Sequence, residues 1–271
     1  MSEQEKSSRL GIVGLGELGS VVGGNLLAAG HEVVGWDRRP EAVEQWASSG
    51  GFAASGMADL AECDIVFSIV FDDETTRAIA LGPSGLVSTL RAGAIHVLMA
   101  SVSPALAREL EEAHRDRGQH LLGASIFGRP EAARASNLLI NCSGPDAIYP
   151  QVEPLLKHLG TPQWIGPAPD QAMLLKTMGN SLIHTTVEML REMFEFLEAG
   201  GIDGQRAKEL LVDRLFSGQI TTSYAQRYLD DPGSAAMIDM ARKDRRICLR
   251  AAEDMGVSLP VIQFLGEHDL P

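Results

Sequence analysis

Cysteine is scarce. Cys63, Cys142 and Cys248 are three in a chain of 271 residues, odd in number and far apart. With no CxxC and no Cys/His cluster, neither a disulfide framework nor a structural zinc site is expected, and buried free thiols are. The histidines show no metal-ligand spacing either, so no metal is expected. Long apolar runs are also missing. The longest, Ile65 to Phe71, is broken by Ser68 and falls far short of the roughly 20 residues that cross a membrane. The opening MSEQEKSSRL is polar and lacks a signal peptide's apolar region, so a reducing cytoplasm is the expected setting. Positive charge is in deficit: 23 Lys plus Arg against 36 Asp plus Glu give a net charge of −13. Such a surface repels polyphosphate, which argues against nucleic acid or an anionic membrane as partner. A small anionic ligand stays possible, because a pocket can differ in sign from the whole surface.

What is present is an ordinary globular composition, 45% hydrophobic and 22% charged. It suits one or two domains that bury their cores without staples. The first 165 residues alternate short apolar runs with helical patterns. The runs Leu10–Leu15, Glu32–Trp36, Ile65–Val70, Ile95–Met99, Leu121–Ile126, Leu138–Asn141 and Gln163–Ile165 read as strands. Helices are predicted over Leu18–Ala29, Glu41–Ser49, Asp73–Ala80, Ala105–Arg117 and Asp146–His158. This alternation predicts a largely parallel, doubly wound α/β sheet covered on both faces. After Gly166-Pro167-Ala168-Pro169 the character changes. Asp170 to Ala199 holds no proline and a single glycine, so one long helix is expected. More helices follow at Gln205–Phe216, around Ala236–Met255, and near the end. The expected division is an α/β domain over 1–165 and an all-α domain over 166–271.

The sharpest local signal is Gly14-Leu15-Gly16-Glu17-Leu18-Gly19, between an apolar run and a helix. It has the form of a dinucleotide-binding turn, with Asp37 at the end of the next strand. Gly14 permits the turn, Gly16 lets backbone approach a pyrophosphate, and Gly19 lets helix and strand pack closely. The helix N-terminus then offers free N–H groups and a positive dipole end. Asp37 suits a ribose 2′-hydroxyl and favours NAD. The adjacent Arg38 and Arg39 suit a 2′-phosphate and favour NADP. NAD(P) is the expected cofactor, with a lean to NADP because two cations can offset one carboxylate. Val70, at the end of the predicted strand Ile65–Val70, joins the cofactor-binding set.

Lys176 and Asn180 share one face of the long helix, and Ile183, Val187, Leu190 and Phe194 continue from Lys176 as an apolar stripe. One reading is a lysine that snorkels at the edge of a buried arc. The other is an ammonium beside an amide, set to protonate or orient a carbonyl oxygen. His184 falls toward the polar side with Glu188 and Glu192, where a surface histidine is expected.

At these residues the chain resembles the β-hydroxyacid dehydrogenases, the group of 3-hydroxyisobutyrate dehydrogenase and the 6-phosphogluconate dehydrogenase N-terminal domain, to which imine reductases are related. Gly11-Ile12-Val13-Gly14-Leu15-Gly16-Glu17-Leu18-Gly19 is similar to the family's GxxGLGxMG opening. Ala100-Ser101-Val102-Ser103-Pro104 is similar to its STxxP segment, Lys176 to Asn180 to its KxxxN motif, and Lys243-Asp244 with Gly256 and Pro260 to its C-terminal pattern. The resemblance implies a Rossmann-type N-terminal domain and a helical domain that forms a homodimer. It implies Lys176 as general acid or base, Asn180 orienting the substrate oxygen, Ser101 near nicotinamide and substrate, and Lys243 by the cofactor. The family's substrate loop DxPVSGG is replaced by Gly123-Ala124-Ser125-Ile126-Phe127-Gly128-Arg129. Phe127, Gly128 and Arg129 are therefore expected to line a bulkier, differently charged substrate pocket. The expected activity is hydride transfer between NAD(P) and a small carbonyl or hydroxy compound. The altered loop also leaves an imine reductase, or a cofactor-binding protein without turnover, as other readings.

Overall fold

The computed structural model describes residues 9–230 and 235–267. The opening residues 1–8, on which the expectation about a signal peptide rests, lie outside the described part. The chain divides into two compact units, one ending at Lys176 and the other starting at Thr177, so the division lies inside the long helix.

The first unit is built on one eight-stranded sheet. Its elements are β1 (Leu10–Val13), α1 (Glu17–Ala28), β2 (Val33–Trp36), α2 (Pro40–Ser48), β3 (Phe52–Ala53), β4 (Ile65–Ser68), α3 (Asp73–Leu81), α4 (Leu86–Thr89), β5 (Ile95–Leu98), α5 (Pro104–Arg115), β6 (His120–Phe127), α6 (Pro130–Arg134), β7 (Leu138–Ser143), α7 (Tyr149–Lys157) and β8 (Gly160–Gly166). The order is β3-β2-β1-β4-β5-β6-β7-β8. Strands β1 to β6 are mutually parallel, whereas β7 pairs antiparallel with β6, and β8 follows β7. The five-residue α6 is too short to carry the chain back across the sheet, so β7 returns antiparallel. The central strands are buried on both faces, as a sheet covered by helices requires: Leu10, Ile12, Phe67 and Val97 are fully enclosed.

Helix ends are set locally. Asp72 accepts the Thr75 N–H at the start of α3, and Ser103 accepts the Leu106 N–H at the start of α5. Gly30 closes the turn after α1 at φ 92°, a left-handed value that suits glycine.

The second unit is helical. Helix α8 (Asp170–Ala199) enters it, followed by α9 (Gly204–Ala207), α10 (Gln219–Asp230), α11 (Ala235–Asp254) and α12 (Pro260–Glu267). A single helix over Gln205–Phe216 is expected from sequence; instead α9 passes into a π-helical turn at Lys208–Val212. Lys208 is buried there, and its ammonium donates to both Asp213 oxygens at 3.1 and 3.0 Å. Phe194, Ala207, Val212 and Ala225 form the local core. Among the described residues no strand falls in this unit, and none of the described helices is long and apolar enough to cross a membrane.

Candidate active site

The glycine turn opens at the carboxyl end of β1. Gly14 has φ 97°, and a Cβ there would stand 2.2 Å from the Ile69 carbonyl oxygen. At Gly19 a Cβ would stand 1.9 Å from the Gly14 carbonyl oxygen, so helix and strand close to a distance only glycine allows. Gly16 differs: a Cβ there would meet nothing within 4 Å. It precedes α1 without supplying a side-chain cap, which leaves the first-turn N–H groups for an outside acceptor. A cavity of about 360 Å³ lies beside them, lined by Gly14, Gly16, Glu17, Leu18 and Gly19, then by Asp37, Arg38 and Arg39, and by Val70. These residues fit the phosphates and ribose of a dinucleotide. Leu15 turns its side chain into the core and contributes its N–H, which donates to Asp37 Oδ2 at 2.8 Å. Glu17 pairs with Arg134 of α6 at 2.8 Å.

Asp37 is held by a fork. Arg39 Nε donates to Oδ1 at 2.9 Å and Nη2 to Oδ2 at 3.0 Å, and the Arg39 N–H donates to Oδ1 at 3.0 Å. Burial opposes ionisation of Asp37. The hydrogen bonds from Arg39 and Leu15 and the guanidinium charge outweigh it and hold the carboxyl below the usual carboxylate range. The two arginines therefore differ: Arg39 is engaged with Asp37, while Arg38 is exposed at the cavity wall.

Further along the same sheet edge, Ser101 follows β5 and Phe127 ends β6. Strands β1, β2, β4, β5 and β6 are parallel, so these residues and the glycine turn share the carboxyl edge, where open α/β sheets bind ligands. The Lys176 ammonium lies 4.3 Å above the centre of the Phe127 ring, a cation–π contact. Gly128, at φ 141°, leads to the exposed Arg129, which precedes α6.

Asn180 and Lys243 belong to the second unit. They meet at Asp244, which is buried. Asn180 Nδ2 donates to Asp244 Oδ2 at 2.8 Å, His184 Nε2 is 3.2 Å from that oxygen, and Lys243 Nζ is 3.4 Å from Oδ1. The surface position expected for His184 is corrected here: its side chain is only 12% exposed, because α11 brings Asp244 against it. Glu188 is buried as well, with the Arg191 Nε donating to it at 3.1 Å.

Residues 9–186 match the family model described as the NAD binding domain of 6-phosphogluconate dehydrogenase. The chain belongs to this family. It is 28% identical over 264 residues to the uncharacterized oxidoreductase YfjR of Bacillus subtilis (strain 168), covering 96% of this chain and 92% of that one. It is 29% identical over 253 residues to the probable mitochondrial 3-hydroxyisobutyrate dehydrogenase-like 2 of Arabidopsis thaliana, covering 88% and 84%. The fold is shared with the crystal structure of 3-hydroxyisobutyrate dehydrogenase (ygbJ) from Salmonella typhimurium, at TM-score 0.84 and 20% identity over 97% of this chain and 93% of that one. The chain thus carries the NAD-binding domain of the 6-phosphogluconate dehydrogenase family on a Rossmann-type sheet, with helices after it.

Within this family domain, the cavity walls include residues that sequence reading missed. Trp36, Ile69, Phe71, Thr75 and Ile79 also line it. Trp36 ends β2, Ile69 and Phe71 follow β4, and Thr75 and Ile79 lie on the first turns of α3, so position in the fold places them, with no motif to mark them. Among the described residues no group of three or more histidine, cysteine or acidic side chains is arranged to hold a metal ion.

Proposed function

We propose that this protein is an NAD(P)-dependent reductase or dehydrogenase acting on a small carbonyl or hydroxy compound, with Lys176 as its acid–base group. The single observation behind this reading is the Lys176 ammonium, set 4.3 Å over Phe127 on the sheet edge that also carries the glycine turn. A snorkelling lysine needs only an apolar stem and a wet head. This ammonium rests on an aromatic face at the carboxyl edge of the sheet. When bound, the nicotinamide supplies or takes up hydride. The chain supplies the rest. First-turn N–H groups of α1 hold the pyrophosphate, Ser101, Phe127, Gly128 and Arg129 shape the substrate end, and Lys176 gives its proton to the oxygen as negative charge builds there. In oxidation the same amine takes the proton back. Asn180 orients the substrate oxygen, and Lys243 stands by the cofactor.

NADP is the preferred form in this reading. The Arg39 fork covers the Asp37 carboxylate, which would otherwise repel a 2′-phosphate, and leaves Arg38 at the cavity wall to receive one. The protein is a homodimer through its helices. Leu182, Met189 and Phe196 recur every seven residues on α8 and are 63%, 63% and 77% exposed, a seam that a second copy would cover.

The test is Lys176→Ala, assayed with NADPH and NADH against aldehydes, ketoacids and cyclic imines. General acid catalysis is typically worth about 10²–10⁴-fold, so kcat should fall by that order while cofactor affinity holds. Lys176→Arg should rescue poorly, since guanidinium keeps its proton. A Lys176→Met variant with wild-type kcat would refute the assignment. Turnover of cyclic imines alone would move the reading to imine reduction. Tight cofactor binding without turnover across the panel would leave a binding protein.

A further inference from the structure

Asp244 is buried in the second unit, and its described neighbours include Asn180 Nδ2, His184 Nε2 and Lys243 Nζ, at 2.8, 3.2 and 3.4 Å. An ionised carboxylate accepts and cannot donate. The end of the Asn180 amide that faces it must therefore be the NH₂ end. The two ends of a side-chain amide are nearly isosteric, and only their surroundings decide which way each turns. Here the surroundings leave no choice, because a reversed amide would set its carbonyl oxygen against the carboxylate. His184 is constrained in the same way. To approach Asp244 favourably, its Nε2 must carry a proton.

We propose that Asp244 is a positioning residue that sets the Asn180 amide with Nδ2 toward itself and Oδ1 turned away, so that Asn180 meets a ligand in one fixed orientation, Oδ1 accepting and the second Nδ2 N–H remaining a donor. This inference rests on the reading above that Asn180 faces the substrate. Oδ1 of the fixed amide accepts from an alcohol O–H or an amine N–H, while a carbonyl oxygen takes its donor from the remaining Nδ2 N–H or from Lys176. His184 steadies Asp244 from the neighbouring turn of α8, four residues beyond Asn180.

The experiment uses the full-length protein labelled with ¹⁵N, the Asn180 side-chain amide being assigned by its loss in Asn180→Ala. Its solvent exchange should be at least tenfold slower than that of the exposed Asn137 amide. In Asp244→Ala this protection should disappear. Exchange as fast as that of Asn137 in the unaltered protein would overturn the proposal, and this comparison needs no variant that folds. Protection unchanged within twofold in a folded Asp244→Ala would overturn it as well. Kinetics then separate positioning from a general structural role. Asp244→Ala should lower kcat at least tenfold with cofactor Kd within threefold, yet change kcat less than threefold in an Asn180→Ala background. Equal losses in both backgrounds, or a rise in cofactor Kd matching the loss in kcat, would overturn it, the latter because Asp244 would then act through Lys243. Protection lost with kcat unchanged would uphold the amide assignment and instead remove Asn180 from the proposed reaction.

Discussion

Lowering the pH from 7 to 5 should weaken the first unit by several kcal/mol, through two histidines buried beside its sheet. The Gln119 amide nitrogen donates to the carbonyls of Val87 and Leu90 at 3.1 and 2.6 Å, so its oxygen is left to accept from His114 Nδ1 at 2.7 Å. His114 Nε2 must then accept from His96 Nδ1 at 2.9 Å, and His96 Nε2 from the Ser68 hydroxyl at 2.7 Å. Every donor is used only while both rings are neutral. A proton added to His114 would set two N–H groups against each other. Burial, offset in part by the Gln119 hydrogen bond, lowers the His114 pKa from 6.5 to about 4. Burial first, and then the neighbouring His114, push that of His96 well below its usual value. Both folded values lie below the unfolded value, so the unfolded chain binds more protons, and stability falls as pH drops below about 6.5. Each ring forfeits about 1.4 kcal/mol per pH unit until its folded pKa is reached, so from pH 6.5 to 5 the pair loses roughly 4 kcal/mol.

Urea unfolding followed by tryptophan fluorescence measures this, because Trp36, Trp46 and Trp164, the only tryptophans, all precede Lys176 and report the first unit. His114→Gln is the matched variant. Its amide can donate to Gln119 and accept from His96 without titrating, so about half of the pH dependence should vanish. A loss below about 1 kcal/mol between pH 7 and 5, or an undiminished loss in His114→Gln, would refute the reasoning.

Gly16→Val should leave the urea midpoint unchanged, since a Cβ at this position meets nothing within 4 Å, yet should raise cofactor Kd at least tenfold by filling the phosphate space; an unchanged Kd by fluorescence titration would take the glycine turn out of binding. Arg38→Ala should lower kcat/KM for NADPH at least tenfold, about 1.4 kcal/mol, and leave NADH little changed; a wild-type preference for NADH would reverse the cofactor reading. Leu182→Asp with Met189→Asp should convert a dimer into a 29.1 kDa monomer by light scattering, and an unaltered protein that is already monomeric at micromolar concentration would remove the proposed seam.

The periodic and contiguous features of this protein are legible in the sequence. Helix α8 runs from Asp170 to Ala199 as its uninterrupted pattern predicts, because a helix makes its hydrogen bonds within its own segment. The turn Gly14–Gly19 shows the same locality: the strand before it, the helix after it and the acid beyond lie within a single run of sequence. Other features required the folded chain. Strand β3 has two residues and α6 five, too few for any period to register. The reversal of β7 depends on the path of the connection after β6, and apolar runs read alike in either direction. Helix α10, Gln219–Asp230, mixes polar and apolar residues without a clean stripe, and only its packing on Phe194 through Tyr228, at 5.1 Å between ring centres, shows why it forms. The polar clusters are the clearest case. Asn180 and Asp244 lie 64 residues apart, and Ser68 and His96 lie 28 apart. Composition can place neither pair together, because a hydrogen bond across such a distance exists only after helices and strands have packed. His184 reads as a surface residue from its own helix alone, and α11, arriving from the far end of the chain, largely covers it.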